Sequence, residues 1–184
     1  MSRPVNLMIF ILSLWNAATA APAPVDVTTA QGVDYTKLLV PGPGLPSVQE
    51  LGLTNADLLK PLPGVETPST RSLSKRFDLR CSTDTFQWCN GEDAKACYNY
   101  LKNLGKTICS VSGGDGASIS MCHVGPGIGC DWRGVTWGVS SAASYCEDVA
   151  AGGLTIIQKC SLEHGVVAGE NAANGNGNLI VTID

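Results

Sequence analysis

Cysteine is missing from the first eighty residues, and histidine occurs only twice in the chain, as His123 and His164. No two cysteines stand closer than eight positions apart. A metal site built on close CxxC-type pairs is therefore excluded. Only one long apolar run exists, LMIFILSLW from Leu7 to Trp15. It is shorter than the roughly 20 residues that a membrane-spanning helix needs, and nothing else could anchor the chain. No lipidation or retention signal stands at the C-terminal VTID. No serine sits in a GxSxG turn. From Phe77 to Asp184 there are six basic residues against eleven acidic ones, a net of −5. No basic stripe is available to neutralise phosphates, which disfavours nucleic acid as a partner and anionic membrane surfaces with it.

What is present divides the chain into three. Arg3 precedes the apolar run, and Ala18-Thr19-Ala20 forms a small-x-small site in front of Ala21. This is the pattern of a secretory signal peptide over residues 1–20, cut after Ala20. Residues 21–76 hold eight of the ten prolines and no cysteine, so this stretch is expected to be largely disordered or extended. Two fragments within it look locally helical, Asp34 to Val40 and Val48 to Lys60, and could dock only transiently. The stretch ends in the dibasic pair Lys75-Arg76. A dibasic pair in an exposed, flexible segment suits a processing protease of the secretory pathway. The expected mature product is residues 77–184.

All the cysteines fall in that product: Cys81, Cys89, Cys97, Cys109, Cys122, Cys130, Cys146 and Cys160. An even number in an exported chain reads as a disulfide framework, and eight cysteines allow 105 connectivities. A domain this small has a modest core, so the bridges are expected to supply much of its stability. No cofactor is expected.

Local patterns give an α+β order. Thr83 to Trp88 alternates like a strand. Gly91 to Gly105 places Ala94, Cys97, Tyr98 and Leu101 at helical spacing, with Glu92 and Asp93 in the first turn and Gly105 as a stop. Strands are expected at 107–111, 117–124 and 133–139. A second helix is expected over 140–160, capped by Ser140 or Ser141, with Gly152-Gly153 kinking or breaking it. Two final strands follow at 165–169 and 178–183. One antiparallel sheet with both helices packed on one face satisfies this order. Cys146 and Cys160 lie about 21 Å apart along a continuous helix, so they cannot bond to each other. Each must pin the helix to something else. Cys97 is a candidate partner for a strand or for the N-terminal segment.

The export signal, the pro-region ending in Lys75-Arg76 and the stretch YCEDVAAGGLTIIQKC followed by GVVAGENAANGNGNLIVTI together resemble the killer-toxin-like small cysteine-rich secreted proteins and effectors of filamentous fungi. The likeness lies mainly in Tyr145 to Ile183. It implies a killer-toxin-like α/β sandwich without enzymatic activity. It also implies action outside the cell on a competing microbe or a host plant cell, sometimes through ion channels, and so a role in virulence. No functional residue of that family maps onto this chain.

Catalytic readings have thin material. A small ribonuclease could be assembled from His123, His164, Arg133 and Glu163. The adjacent carboxylates Glu92-Asp93 and Glu147-Asp148 point in different directions on a helix, which favours a solvated face over glycoside hydrolysis. Trp132, flanked by Asp131 and Arg133, is expected to be exposed and is the candidate binding residue, for sugar stacking or a protein contact. Trp88 and Trp137 are expected in the core. The sequence thus points to a secreted toxin-like or effector protein, not an enzyme, that binds a protein or cell-surface target of a host or competitor. A carbohydrate-binding module and a small ribonuclease are the alternatives.

Overall fold

A computed structural model describes residues 32–64, 77–83, 88–126, 129–162, 164–174 and 176–184. The expected signal peptide with Ala20, the Lys75-Arg76 pair, most of the expected strand at 83–88, and Glu163 lie outside the described residues. Asp34 to Asp184 forms one compact unit.

A six-stranded antiparallel sheet is ordered β1-β5-β6-β10-β9-β2. Its strands are β1 (Leu39–Pro41), β2 (Arg80–Cys81), β5 (Ser118–Val124), β6 (Cys130–Thr136), β9 (Gly169–Ala173) and β10 (Asn176–Ile183). Two ribbons complete the β structure: β3 (Cys89–Asn90) with β8 (Val166–Val167), and β4 (Ile108–Ser112) with β7 (Ser141–Tyr145). The helices are α1 (Tyr35–Leu38), α2 (Asn55–Leu58), α3 (Gly91–Asn103) and α4 (Cys146–Cys160).

One cross-strand row explains the layering. Pro41, Cys122, Trp132, Ile183, Gly169 and Cys81 stand opposite one another across all six strands. α3 is bonded to this row through Cys97–Cys122, and α4 through Cys160–Cys81. Both helices therefore lie on one face, as alternation and helical periodicity predict. The strands alternate to match: in β6, Cys130, Trp132, Gly134 and Thr136 are buried while Asp131, Arg133 and Val135 are only partly so. A period of two sends one set to the helices and the other to the opposite face.

All eight cysteines pair, as Cys81–Cys160, Cys89–Cys130, Cys97–Cys122 and Cys109–Cys146. The two ends of α4 are pinned separately, its start to β4 and its end to β2, as the rise of a helix requires.

α3 begins where expected. Asn90 caps it by accepting from the Glu92 N–H, Glu92 and Asp93 occupy the first turn, and Gly105 ends the run with φ +56°. α4 corrects the sequence reading twice. It starts at Cys146, because Ser141 to Tyr145 pairs with β4 as β7 instead of joining the helix. No side chain caps it. The carbonyls of Thr107 and Gly105 accept from the Cys146 and Glu147 N–H groups. The helix is also unbroken through Gly152-Gly153. A Cβ at Gly152 would stand 2.5 Å from the Ala172 carbonyl oxygen, and one at Gly153 would enter the Trp132 ring. The glycines lower helix propensity but let α4 lie directly on β9 and on the tryptophan.

The segment before the cysteines is the largest departure from expectation. Residues 34–64 are ordered against the rest of the unit, where sequence composition predicted a disordered or extended stretch. Its two helical fragments shrink to single turns, and Leu39–Pro41 becomes a strand on the edge of β5. Tyr35, Leu39, Val48 and Leu58 are buried in the common core. Leu38, Leu45, Leu51, Leu53, Leu59 and Leu62 pack against it half-buried, and composition undercounted this because it does not show which apolar side chains meet a folded surface.

Candidate functional site

The sheet face away from α3 and α4 carries the polar and charged side chains. Ser120, Arg133, Thr182, Glu170 and Arg80 form one cross-strand row from β5 to β2. His123 and Asp131 stand opposite each other in the neighbouring row, and Asp131 exchanges two backbone hydrogen bonds with Asp184. The charges here are largely matched among themselves. The Arg133 guanidinium donates to the Asp184 carboxylate and lies 3.8 Å from Asp131. The Ser120 hydroxyl donates to Asp131 at 2.5 Å. Arg80 donates to Glu170 at 3.2 Å. A cavity of about 380 Å³ opens beside β2, between Arg80, Glu170, Thr182 and Asp184.

Aromatic groups border this face. Phe77 meets Trp137 edge-to-face, with ring centroids 5.4 Å apart and planes at 78°. The Arg80 guanidinium lies 4.9 Å from the Phe77 ring centroid, a cation–π contact. Trp137 is 51% exposed. Its backbone is fixed: its N–H donates to the Asn178 carbonyl, and its own carbonyl accepts from the Asn178 side chain. Gly138 then turns the chain at φ +69°.

This arrangement corrects the tryptophan assignments. Trp132 is fully buried against Gly153 of α4 and cannot be an exposed binding residue. Its neighbours Asp131 and Arg133 misled because they occupy the other face of the same strand. Trp137, expected in the core, is the exposed one. Strand alternation carries the signal: counting by twos from Cys130 puts 132, 134 and 136 under the helices and leaves 137 out of phase. Trp88 is partly buried.

The three described members of the ribonuclease set sit in separate elements. His123 is partly buried on β5, and its Nε2 is 2.9 Å from the Gly125 carbonyl oxygen. His164 is exposed in the turn before β8. Arg133 is engaged by Asp184 and Asp131. The helical carboxylates are likewise occupied separately: Glu92 by Lys95, Glu147 by Lys102, and Asp93 by the phenol of Tyr35. Burial raises the pKa of Asp93, and burial beside Asp93 raises that of Tyr35. Among the described residues no group of three or more His, Cys, Asp or Glu could hold a metal ion, and no helix is long and apolar enough to cross a membrane.

The fold defines an α+β domain stapled by four disulfides, with a charge-paired sheet face bordered by exposed Trp137 against half-buried Phe77. The chain belongs to the family described as a domain of unknown function, DUF8794, whose model matches residues 76–184, more than half of the chain. No curated protein and no solved structure matches the chain.

Proposed function

We propose that this chain is the precursor of a secreted, toxin-like or effector-like domain that acts by binding a target outside the cell. The observation that carries the reading is the pairing of all eight cysteines within the family-matched segment. Such bridges form and persist in oxidising compartments, and they hold a small domain rigid at low core volume. The internally matched charges favour a binding surface over acid–base chemistry. The likeness to killer-toxin-like proteins supplies the role, action on a competitor or host. The family match starts at Arg76, one residue before the expected mature N-terminus, which accords with cleavage by a dibasic protease after Lys75-Arg76.

Intact mass of the exported protein tests this. The expected product begins at Phe77 and is lighter by eight hydrogens than its reduced form. A product with free thiols, or one confined to the cytosol, would overturn the reading.

Exposed Trp137 beside Phe77 favours carbohydrate as a second reading, because a fixed aromatic face can stack on a sugar ring. Pull-down on chitin and glucan is the measurement. If sugar is the ligand, Trp137→Ala abolishes retention while Trp132, buried elsewhere, keeps the fold reported by near-ultraviolet circular dichroism. Equal retention of the variant and the parent removes this reading.

A further inference from the structure

Residues 34–64 do more than precede the family domain. They close its sheet. β1 pairs with β5 through Leu39–Val124, Val40–His123 and Pro41–Cys122, and the Gly42 N–H extends the ladder by donating to the Met121 carbonyl at 2.9 Å. Beyond β1 the segment crosses α3. The Tyr100 hydroxyl donates to the Pro46 carbonyl at 2.7 Å, and the Asn99 side-chain amide donates to both the Leu58 and Lys60 carbonyls, at 2.7 and 3.0 Å. Gln158 of α4 donates to the Pro63 carbonyl. Leu58 is 0% and Val48 1% exposed. The segment also carries its own local order. Thr54 and Asp57 form a reciprocal capping box at α2, and Asn55 accepts from the Tyr35 N–H.

These contacts are of the kind that hold a separate chain. Main-chain pairing at a sheet edge supplies register, and apolar anchors in a preformed surface supply affinity. None of them depends on the peptide bond after Arg76. We propose that cleavage at Lys75-Arg76 leaves a two-chain protein, with the segment Asp34–Pro63 staying bound to the stapled domain as a noncovalent strand-adding subunit. The inference rests on the processing step of the proposed function for its biological setting. Its physical content concerns only what the cut chains do. The segment then serves as the cover of β5, whose free edge would otherwise be a template for pairing with another chain. On this reading any partner that uses β5 or the outer face of α3 must first displace the segment, so that surface is masked in the mature protein and the charge-paired sheet face is not.

The test cuts purified, oxidised full-length protein in vitro with a dibasic-specific protease and passes it over a size-exclusion column at about 10 μM, which separates its outcome from whether cells make the same cut. The expected result is co-elution of both chains in equal amounts, identified by mass after denaturation, with the Gly42 amide still protected from hydrogen exchange. Gly42→Val is the variant of choice. A Cβ at Gly42 would stand 2.5 Å from the Ser120 carbonyl oxygen and 2.7 Å from the Met121 Cα, both backbone atoms that cannot step aside. It should weaken retention at least about tenfold, and it lies outside the cysteine-bearing domain. Should that variant fail to fold, the exchange measurement on the cut parent protein decides alone. Elution of the parent's segment in the peptide fraction, or loss of Gly42 protection on cutting, overturns the proposal. Natural protein found uncut, with the in vitro chains still co-eluting, overturns the processing step and leaves the complex standing.

Discussion

Gly153→Ala is expected to destabilise the protein by about 2–3 kcal/mol, against the roughly 1 kcal/mol of stabilisation that helix propensity alone assigns to a mid-helix glycine-to-alanine change. The two expectations have opposite signs, so the measurement separates them cleanly. The reason for the reversal is the Trp132 ring, fully buried where an alanine methyl would have to sit. The ring cannot swing away. It stands in the cross-strand row between Cys122 and Ile183, and Cys122 is bonded to Cys97 of α3. The alternative is for α4 to lift from the sheet, and its two ends are held by Cys109–Cys146 and Cys81–Cys160. Urea denaturation followed by tryptophan fluorescence reads the effect. A midpoint equal to or above that of the parent protein would show that α4 does not rest on Trp132.

Removing the Cys81–Cys160 bridge is expected to have the largest effect of any single cross-link. The two residues are 79 apart in sequence, the widest separation of the four bridges. Chain entropy for a loop of that length gives about 4 kcal/mol, most of which should be lost in a Cys81→Ala/Cys160→Ala variant. The structure adds a local consequence. β2 consists of Arg80 and Cys81 and, among the described residues, pairs with Glu170 and Gly169 of β9. Two residues of ladder do not hold a strand alone, so β2 should peel away in the variant. Phe77 and Arg80 would leave with it, freeing Trp137 and opening the cavity beside Glu170. Faster exchange of the Ser82 amide, which bonds the Ala168 carbonyl, and a red-shifted Trp137 emission would accompany the drop in urea midpoint. A loss below about 1 kcal/mol, with Ser82 still protected, would mean that the sheet edge is held by something other than sulfur.

The elements legible in the sequence were those whose cause is local. α3 carries its acidic first turn, its apolar spacing and its glycine stop within one continuous stretch. The rule that Cys146 and Cys160 must bond elsewhere needed only the rise of a helix. The elements that were misread are those whose neighbours decide them. Ser141 to Tyr145 has nothing locally that forbids a helix, and becomes β7 because β4 offers a partner. Gly152 and Gly153 look like helix breakers until Ala172 and Trp132 are placed beneath them. Trp132 looks exposed beside two charges, because a strand puts adjacent residues on opposite faces and a short window does not show which face the helices cover. The aromatic border of the sheet face was missed for a further reason. It joins Phe77 and Trp137, sixty positions apart, and no periodicity links such residues.

By itself the sequence determined the disulfide-stapled α+β class, the number of cross-links and the presence of both long helices, since these follow from residue type and from spacings of a few positions. The tertiary structure alone decided which cysteines meet, which tryptophan reaches solvent and that residues 34–64 belong to the core. Those outcomes depend on surfaces assembled from distant parts of the chain. A side chain's burial is fixed by what packs over it, and here the covering residues lie tens of positions away.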